Sequence, residues 1–206
     1  MIDIFSVLGH RLGAFGKTPD TVEVVRRAAV ENPWFLPQEI IRAVKAIRCE
    51  MLERQRLEAW AGAYPPVRTP KRVLVVMAGN IPLVGFFDLL CVLASGHACR
   101  VKPSSKDTVL IGYVVDLLRT IDPAIPLRMA EQGERLDAVI ATGSDNANRY
   151  FRMLFGGIPS LLRGSRQSVA VLSGRETAAE LSGLEEDIFA YSGLGCRNVS
   201  LLFLPR

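Results

Sequence analysis

Of the four cysteines in this 206-residue sequence, one has a setting suited to chemistry. Cys196 lies in Tyr191-Ser192-Gly193-Leu194-Gly195-Cys196-Arg197-Asn198, between an acidic, helix-patterned stretch (177–189) and an apolar run (199–204). A thiol in a glycine-bracketed turn leaves room for a substrate carbonyl. Exposed amides and the adjacent Arg197 would increase its thiolate fraction. A free cysteine is as commonly a small buried hydrophobe, and residue types alone leave the two readings even. Cys49, Cys91 and Cys99 sit in helix- or strand-like contexts without such a turn and read as buried hydrophobes. No CxxC pair occurs, so neither a metal site nor a disulfide framework is expected. Reduced thiols of this kind imply a cytoplasmic protein. His10 and His97 have no Ser or Asp partner at a recognisable spacing, which argues against a hydrolase triad.

A second set of chemically useful residues is divided among three turns: Ala78-Gly79-Asn80-Ile81-Pro82, Lys102-Pro103-Ser104-Ser105 and Thr142-Gly143-Ser144. Each follows a run expected to be a strand, at 72–77, 98–102 and 137–141, and a fourth strand is expected at 168–172. The first run is continuously apolar and β-branched, as in a strand buried on both faces. Helix-patterned segments at about 83–95, 106–119 and 147–155 separate them. This alternation implies right-handed crossovers and a mostly parallel sheet, an α/β fold. Ligands of such sheets bind beyond the carboxyl ends of the strands, where all three turns fall. A glycine there permits close backbone approach, and helix N-terminal amides with a lysine favour phosphate. The G-x-G-x-x-G and Walker A patterns are both missing, so a nucleotide site here belongs to another class.

Residues 1–66 read as a helical cover. Thr18-Pro19-Asp20 starts one helix, Asn32-Pro33 breaks it, and Pro37-Gln38-Glu39 starts another whose Ile40, Val44, Ile47 and Met51 share a face. Residues 67–176 then form a dinucleotide-binding unit, and 177–206 open a further unit holding Cys196. A composition of 49% apolar and 22% charged residues excludes a disordered chain. The net charge of +4 suits a phosphorylated small molecule and lacks the dense basic stripe of a nucleic-acid binder. The most apolar run, 81–96, contains Asp88 and is too short to span a bilayer, and the amino terminus lacks the basic start of a signal peptide. Glu185, Glu186 and Asp187 read as a solvated helix face.

In combination and order, these segments resemble the aldehyde dehydrogenase superfamily, and within it the LuxC-type acyl-CoA reductases. Asn32-Pro33-Trp34-Phe35 is similar to that branch's N-terminal signature. Gly79-Asn80-Ile81-Pro82-Leu83-Val84-Gly85-Phe86 is similar to the turn carrying the oxyanion-hole asparagine. Lys102-Pro103-Ser104-Ser105 matches three positions of the Lys-Pro-Ser-Glu adenosine turn, and Thr142-Gly143-Ser144 matches the pyrophosphate turn. Residues 193–198 resemble the nucleophile segment.

The resemblance implies a Rossmann-like sheet with an N-terminal helical region and the start of a catalytic domain. It assigns Cys196 as nucleophile and Asn80 as oxyanion donor, with Lys102, Ser104, Ser105, Thr142, Gly143 and Ser144 at the cofactor. The implied reaction reduces a fatty acyl-CoA thioester to the aldehyde through a cysteine acyl-enzyme. NADPH is the expected cofactor and NADH the alternative. The intact enzyme is expected to be a homo-oligomer. A non-catalytic nucleotide- or CoA-binding module is the competing expectation. Where aldehyde-oxidising relatives carry Glu-Leu-Gly-Gly, this chain is read as Val171-Leu172-Ser173-Gly174, without the carboxylate that activates a hydrolytic water. The sequence ends at Arg206, just past the nucleophile segment, which reads as the N-terminal portion of a longer enzyme.

Overall fold

Strand β1 (Arg72–Val76) is apolar on both sides because both sides are covered. Val73 and Val75 join one core layer, and Leu74 and Val76 join another. The computed structural model describes residues 1–65 and 67–205. From β1 the chain runs through helix α5 (Phe86–Ala94), β2 (Ala98–Lys102), α6 (Thr108–Ile121) and β3 (Leu127–Met129) on one side of β1. It returns as β4 (Ala138–Thr142), α7 (Asp145–Phe155) and β5 (Ser160–Arg163) on the other. The five strands are parallel, in the order β3-β2-β1-β4-β5. Helices α5 and α6 cover one face, and Phe151 and Phe155 of α7 pack on Leu74, Val76, Val139 and Ala141 of the other.

Ahead of the sheet, α1 (Ile2–Arg11), α2 (Pro19–Glu31), α3 (Pro37–Met51) and α4 (Arg54–Gly62) form the helical region, with α1 and α2 against α6. Pro19 and Pro37 take first-turn positions, where no intrahelical N–H is needed. Phe5, Phe35 and Phe86 are fully buried. Phe5 of α1 meets Phe86 of α5 edge to face, with centroids 6.4 Å apart. Each such ring stabilises the fold by about 1.5–3 kcal/mol.

Two expectations change. Residues 168–172 do not add a strand to the main sheet; β6 (Ser168–Val171) pairs in parallel with β7 (Val199–Phe203) in a separate two-stranded sheet. The main sheet's last strand is instead β5, short and lying at an edge. Helix α6 begins at Thr108 rather than Lys106, with Asp107 as its N-cap. Between β6 and β7 runs α8 (Ala178–Phe189), opened by a capping box of Thr177 and Glu180, and then a 3₁₀ turn (Ala190–Gly193). No helix among the described residues is long and apolar enough to cross a membrane.

Candidate functional site

The strand register sets Lys102, Val76 and Ala141 side by side. The chain therefore leaves the sheet in three adjacent turns at its carboxyl edge, where the strand order reverses about β1. The first two turns touch. A Cβ on Gly79 would lie 2.6 Å from Ser104 Oγ and 3.1 Å from Lys106 Cβ, so this glycine is required by contact with the neighbouring turn. Ser104 Oγ accepts the Lys106 N–H at 3.2 Å, while Lys102, Ser105 and Lys106 remain exposed. In the third turn Thr142 ends β4, and Ser144 caps α7 by accepting the Ala147 N–H at 3.2 Å. Gly143 packs against the first turns of the same helix, its backbone facing Ala147 and Phe151. The amino end of α7 and the exposed lysines give this edge the donors and positive charge that a dinucleotide phosphate needs.

Cys196 is exposed, on the turn between the 3₁₀ segment and β7. The turn is braced from within: Asn198 Oδ1 accepts the Gly195 N–H at 2.7 Å, and Asn198 Nδ2 donates to the Asp187 carbonyl at 2.9 Å. Among the described residues, the N–H of Cys196 has no protein acceptor. The fold brings Asn80 to this loop, its Nδ2 donating to the Leu194 carbonyl at 2.6 Å. Ile81 lies beside Gly195, and a Cβ added there would sit 3.8 Å from Ile81 Cγ2. The asparagine turn and the cysteine turn, over a hundred residues apart in sequence, thus form one unit.

The other cysteines lie in different surroundings. Cys99 is fully buried and its thiol is pushed up to about 12 by desolvation; Cys91 is pushed up to about 11 by burial and then by the Asp88 carboxylate. His10 Nδ1 bonds the Ser6 carbonyl and His97 Nδ1 accepts the Lys71 N–H, both structural uses. Val171 lies on β6, outside the five-stranded sheet. The segment that ends that sheet's last strand is Leu162-Arg163-Gly164-Ser165, which also lacks a carboxylate. There Arg163 pairs with Asp88 of α5, its Nη1 2.7 and 2.6 Å from the two carboxylate oxygens. An apolar groove of about 370 Å³ between α5 and strands β4 and β5 is lined by Val73, Cys91, His97, Ile140 and Leu161, none of them on the site turns.

Sequence patterning missed what the N-terminal helices do for the site. Asn32 is 6% exposed and donates from Nδ2 to the Lys106 carbonyl at 3.2 Å, bracing the second turn. Glu39 of α3 accepts the Tyr191 N–H at 3.2 Å, and Arg42 lies 5.9 Å from the Tyr191 ring centroid. Glu186, expected on a purely solvated face, pairs with Arg42. Tyr191 and Ser192 have φ of 53° and 57°, a left-handed conformation that needs such support. Proline and asparagine at 32–33 were the visible signal, since a buried helix-breaking Asn has to find a partner.

No family model matches the sequence, and a search of curated proteins gave no match. Solved structures do match, and their fold is that of the aldehyde dehydrogenases. The NAD+ complex of an aldehyde dehydrogenase from Bacillus cereus is 17% identical, with a TM-score of 0.72, covering 100% of this chain and 46% of that one. Aldehyde dehydrogenase 21 from Physcomitrella patens, in complex with succinate, is 13% identical with a TM-score of 0.77, covering 98% of this chain and 47% of that one. A NAD-dependent benzaldehyde dehydrogenase from Corynebacterium glutamicum is 14% identical with a TM-score of 0.73, covering 98% and 49%. The chain therefore has the aldehyde-dehydrogenase-like α/β fold and spans about half the length of these structures.

Proposed function

We propose that this chain carries the nucleophile and cofactor turns of a cytoplasmic, NADPH-dependent acyl-CoA reductase, a homo-oligomer when intact. The single observation that carries the reading is the Asn80–Leu194 hydrogen bond, which ties an amide donor to the loop of an exposed cysteine. In this reading the Cys196 thiolate attacks the thioester carbonyl of a fatty acyl-CoA. The carbonyl oxygen takes up the electron pair and becomes an oxyanion. Asn80 Nδ2 has two hydrogens, one held by Leu194, so its amide is fixed with the second free to donate. The Cys196 N–H supplies a second donor. Preorganised donors of this kind are worth a few kcal/mol each at the transition state. Collapse of the oxyanion breaks the bond to the coenzyme A sulfur, which leaves as thiolate, and the acyl group remains on Cys196. The nicotinamide cofactor, when bound, would supply the hydride to the thioester carbon, and breaking the carbon–sulfur bond releases the aldehyde and returns Cys196 as thiolate. Lys102, Ser104, Ser105, Thr142, Gly143 and Ser144 would hold the cofactor. The lack of a carboxylate at Leu162-Arg163-Gly164-Ser165 and at Val171 favours thioester reduction over aldehyde oxidation, which needs an activated water.

The test is incubation with a labelled long-chain acyl-CoA and mapping of the adduct by mass spectrometry. Label on Cys196, lost in Cys196→Ala, is expected. Label on Cys91 or Cys99 would overturn the assignment, and NADPH binding without any acylation would favour a non-catalytic nucleotide-binding module.

A further inference from the structure

An aspartate at a helix N-cap ordinarily accepts a hydrogen bond from the first turn of its own helix. Asp107 caps α6 and makes no such bond. Its carboxylate turns instead into the interior, where Oδ2 accepts the N–H of Leu83 at 2.7 Å. Asp107 is 3% exposed, and among the described residues no protein group bonds its Oδ1 and no salt bridge reaches it. A buried carboxylate with one oxygen unpartnered is costly, so its orientation has to be imposed by its surroundings.

The surroundings supply that constraint. The Asp107 N–H donates to the Ser104 carbonyl at 3.0 Å, closing the second turn, and the preceding Lys106 carbonyl is held by Asn32. The recipient, Leu83, is itself buried and has φ of 56°, which a branched L residue adopts only when held there. Between Leu83 and Asn80 stand Ile81, packed beside Gly195, and Pro82, whose ring fixes φ. The Asp107–Leu83 bond therefore has a stiff, three-residue path to the Asn80 amide.

We propose that Asp107 is a positioning residue for the acyl-transfer step, setting the Asn80 amide by holding Leu83 in its left-handed conformation. This rests on the role given to Asn80 above. It also ties the cofactor turn at Ser104 to the oxyanion turn at Asn80, so that the two move as one body.

The experiment compares the 206-residue chain with Asp107→Asn and Asp107→Ser. Asparagine keeps an oxygen that reaches Leu83. Serine is a favoured N-cap residue but is too short to reach Leu83, and an unchanged circular dichroism spectrum and cooperative thermal transition check that the variant is folded. Two reactions at Cys196 are followed by mass spectrometry: acetylation by p-nitrophenyl acetate, which passes through an oxyanion, and alkylation by iodoacetamide, which does not. Asp107→Ser is expected to slow acetylation by about 10- to 100-fold while alkylation stays within about twofold. Asp107→Asn is expected to restore acetylation to within about threefold of the unsubstituted chain. Acetylation unchanged in Asp107→Ser, a parallel loss of alkylation, or an Asp107→Asn variant as slow as Asp107→Ser would each overturn the proposal. So would an unsubstituted chain that p-nitrophenyl acetate does not label at Cys196. Labelling by p-nitrophenyl acetate but not by acyl-CoA would overturn the acyl-CoA reading and leave Asp107 in its role.

Discussion

The Glu39 carboxylate, in the first turn of helix α3, accepts the backbone N–H of Tyr191, 152 residues further along the chain, at 3.2 Å. It steadies a residue in left-handed conformation five positions before Cys196. Glu39→Ala removes the acceptor and should cost about 1 kcal/mol, concentrated in the cysteine loop. Faster amide exchange at residues 190–195, with helix α3 unchanged, is the expected readout. Glu39→Gln keeps an acceptor and should restore protection; equal exchange in all three proteins would refute the role.

Asn80→Ala should reduce acylation of Cys196 by roughly 100- to 1,000-fold, the usual cost of one oxyanion donor. Alkylation of Cys196 by iodoacetamide should change far less, because that reaction builds no oxyanion. A parallel fall in both rates would mean that Asn80 only supports the loop through Leu194.

NADPH is expected to bind more tightly than NADH. Ser105 stands where the related turn has glutamate, which would repel a 2′-phosphate, and exposed Lys102 and Lys106 flank it. A charge-assisted phosphate contact contributes about 1.5–3 kcal/mol, or roughly ten- to a hundredfold in affinity. The amino end of α6 lies further off than the sequence implied, at Thr108, so the lysines must supply most of the discrimination. Calorimetric titration of each reduced cofactor decides the matter, and Ser105→Glu should abolish the preference with NADH binding kept.

Burial pushes the Asp107 carboxyl up from 3.8 to about 7, against the opposing effect of the Leu83 N–H. Between these values the folded chain keeps a proton that the unfolded chain has lost. Stability from this group is therefore full below pH 4, falls as pH rises towards 7, and is level above it. A shift of this size corresponds to roughly 4 kcal/mol at most. Urea unfolding of the native chain and Asp107→Asn across pH 4–8 should show a difference that grows with pH in favour of asparagine. A constant difference would contradict this.

Much of the sheet was legible in residue pattern. Strands β1 and β4 are largely apolar runs, and β2 alternates buried Cys99 and Val101 with more exposed neighbours. Each is followed by a glycine- or serine-containing turn, and those turns carry the candidate site. Strand β3 was missed because it has three residues, two of them exposed, and β5 because it lies at an edge and is preceded by Gly156-Gly157 and Pro159. Both are pinned by neighbours and have little signal of their own. The assignment of 168–172 to the main sheet failed for a related reason: a strand's pattern does not name its partner. The supports at Glu39 and Asp107 were illegible because each joins distant segments through one polar atom, and at Asn32 the helix break was visible but its partner, the Lys106 carbonyl, was not.

The parallel pairing of β6 with β7 also sets an order of events during folding. In the main sheet β1 and β2 are joined through α5, β2 and β3 through α6, and β4 and β5 through α7. Cys196 instead lies on the connection between Ser168–Val171 and Val199–Phe203, and must also meet Asn80 and Glu39. Closing that loop against earlier-formed turns is a long-range step that follows local helix formation. Acetylation of Cys196 by p-nitrophenyl acetate should therefore reach its native rate after Cys99 has become protected from thiol alkylation, and pulses of the two reagents during refolding would record these as separate phases.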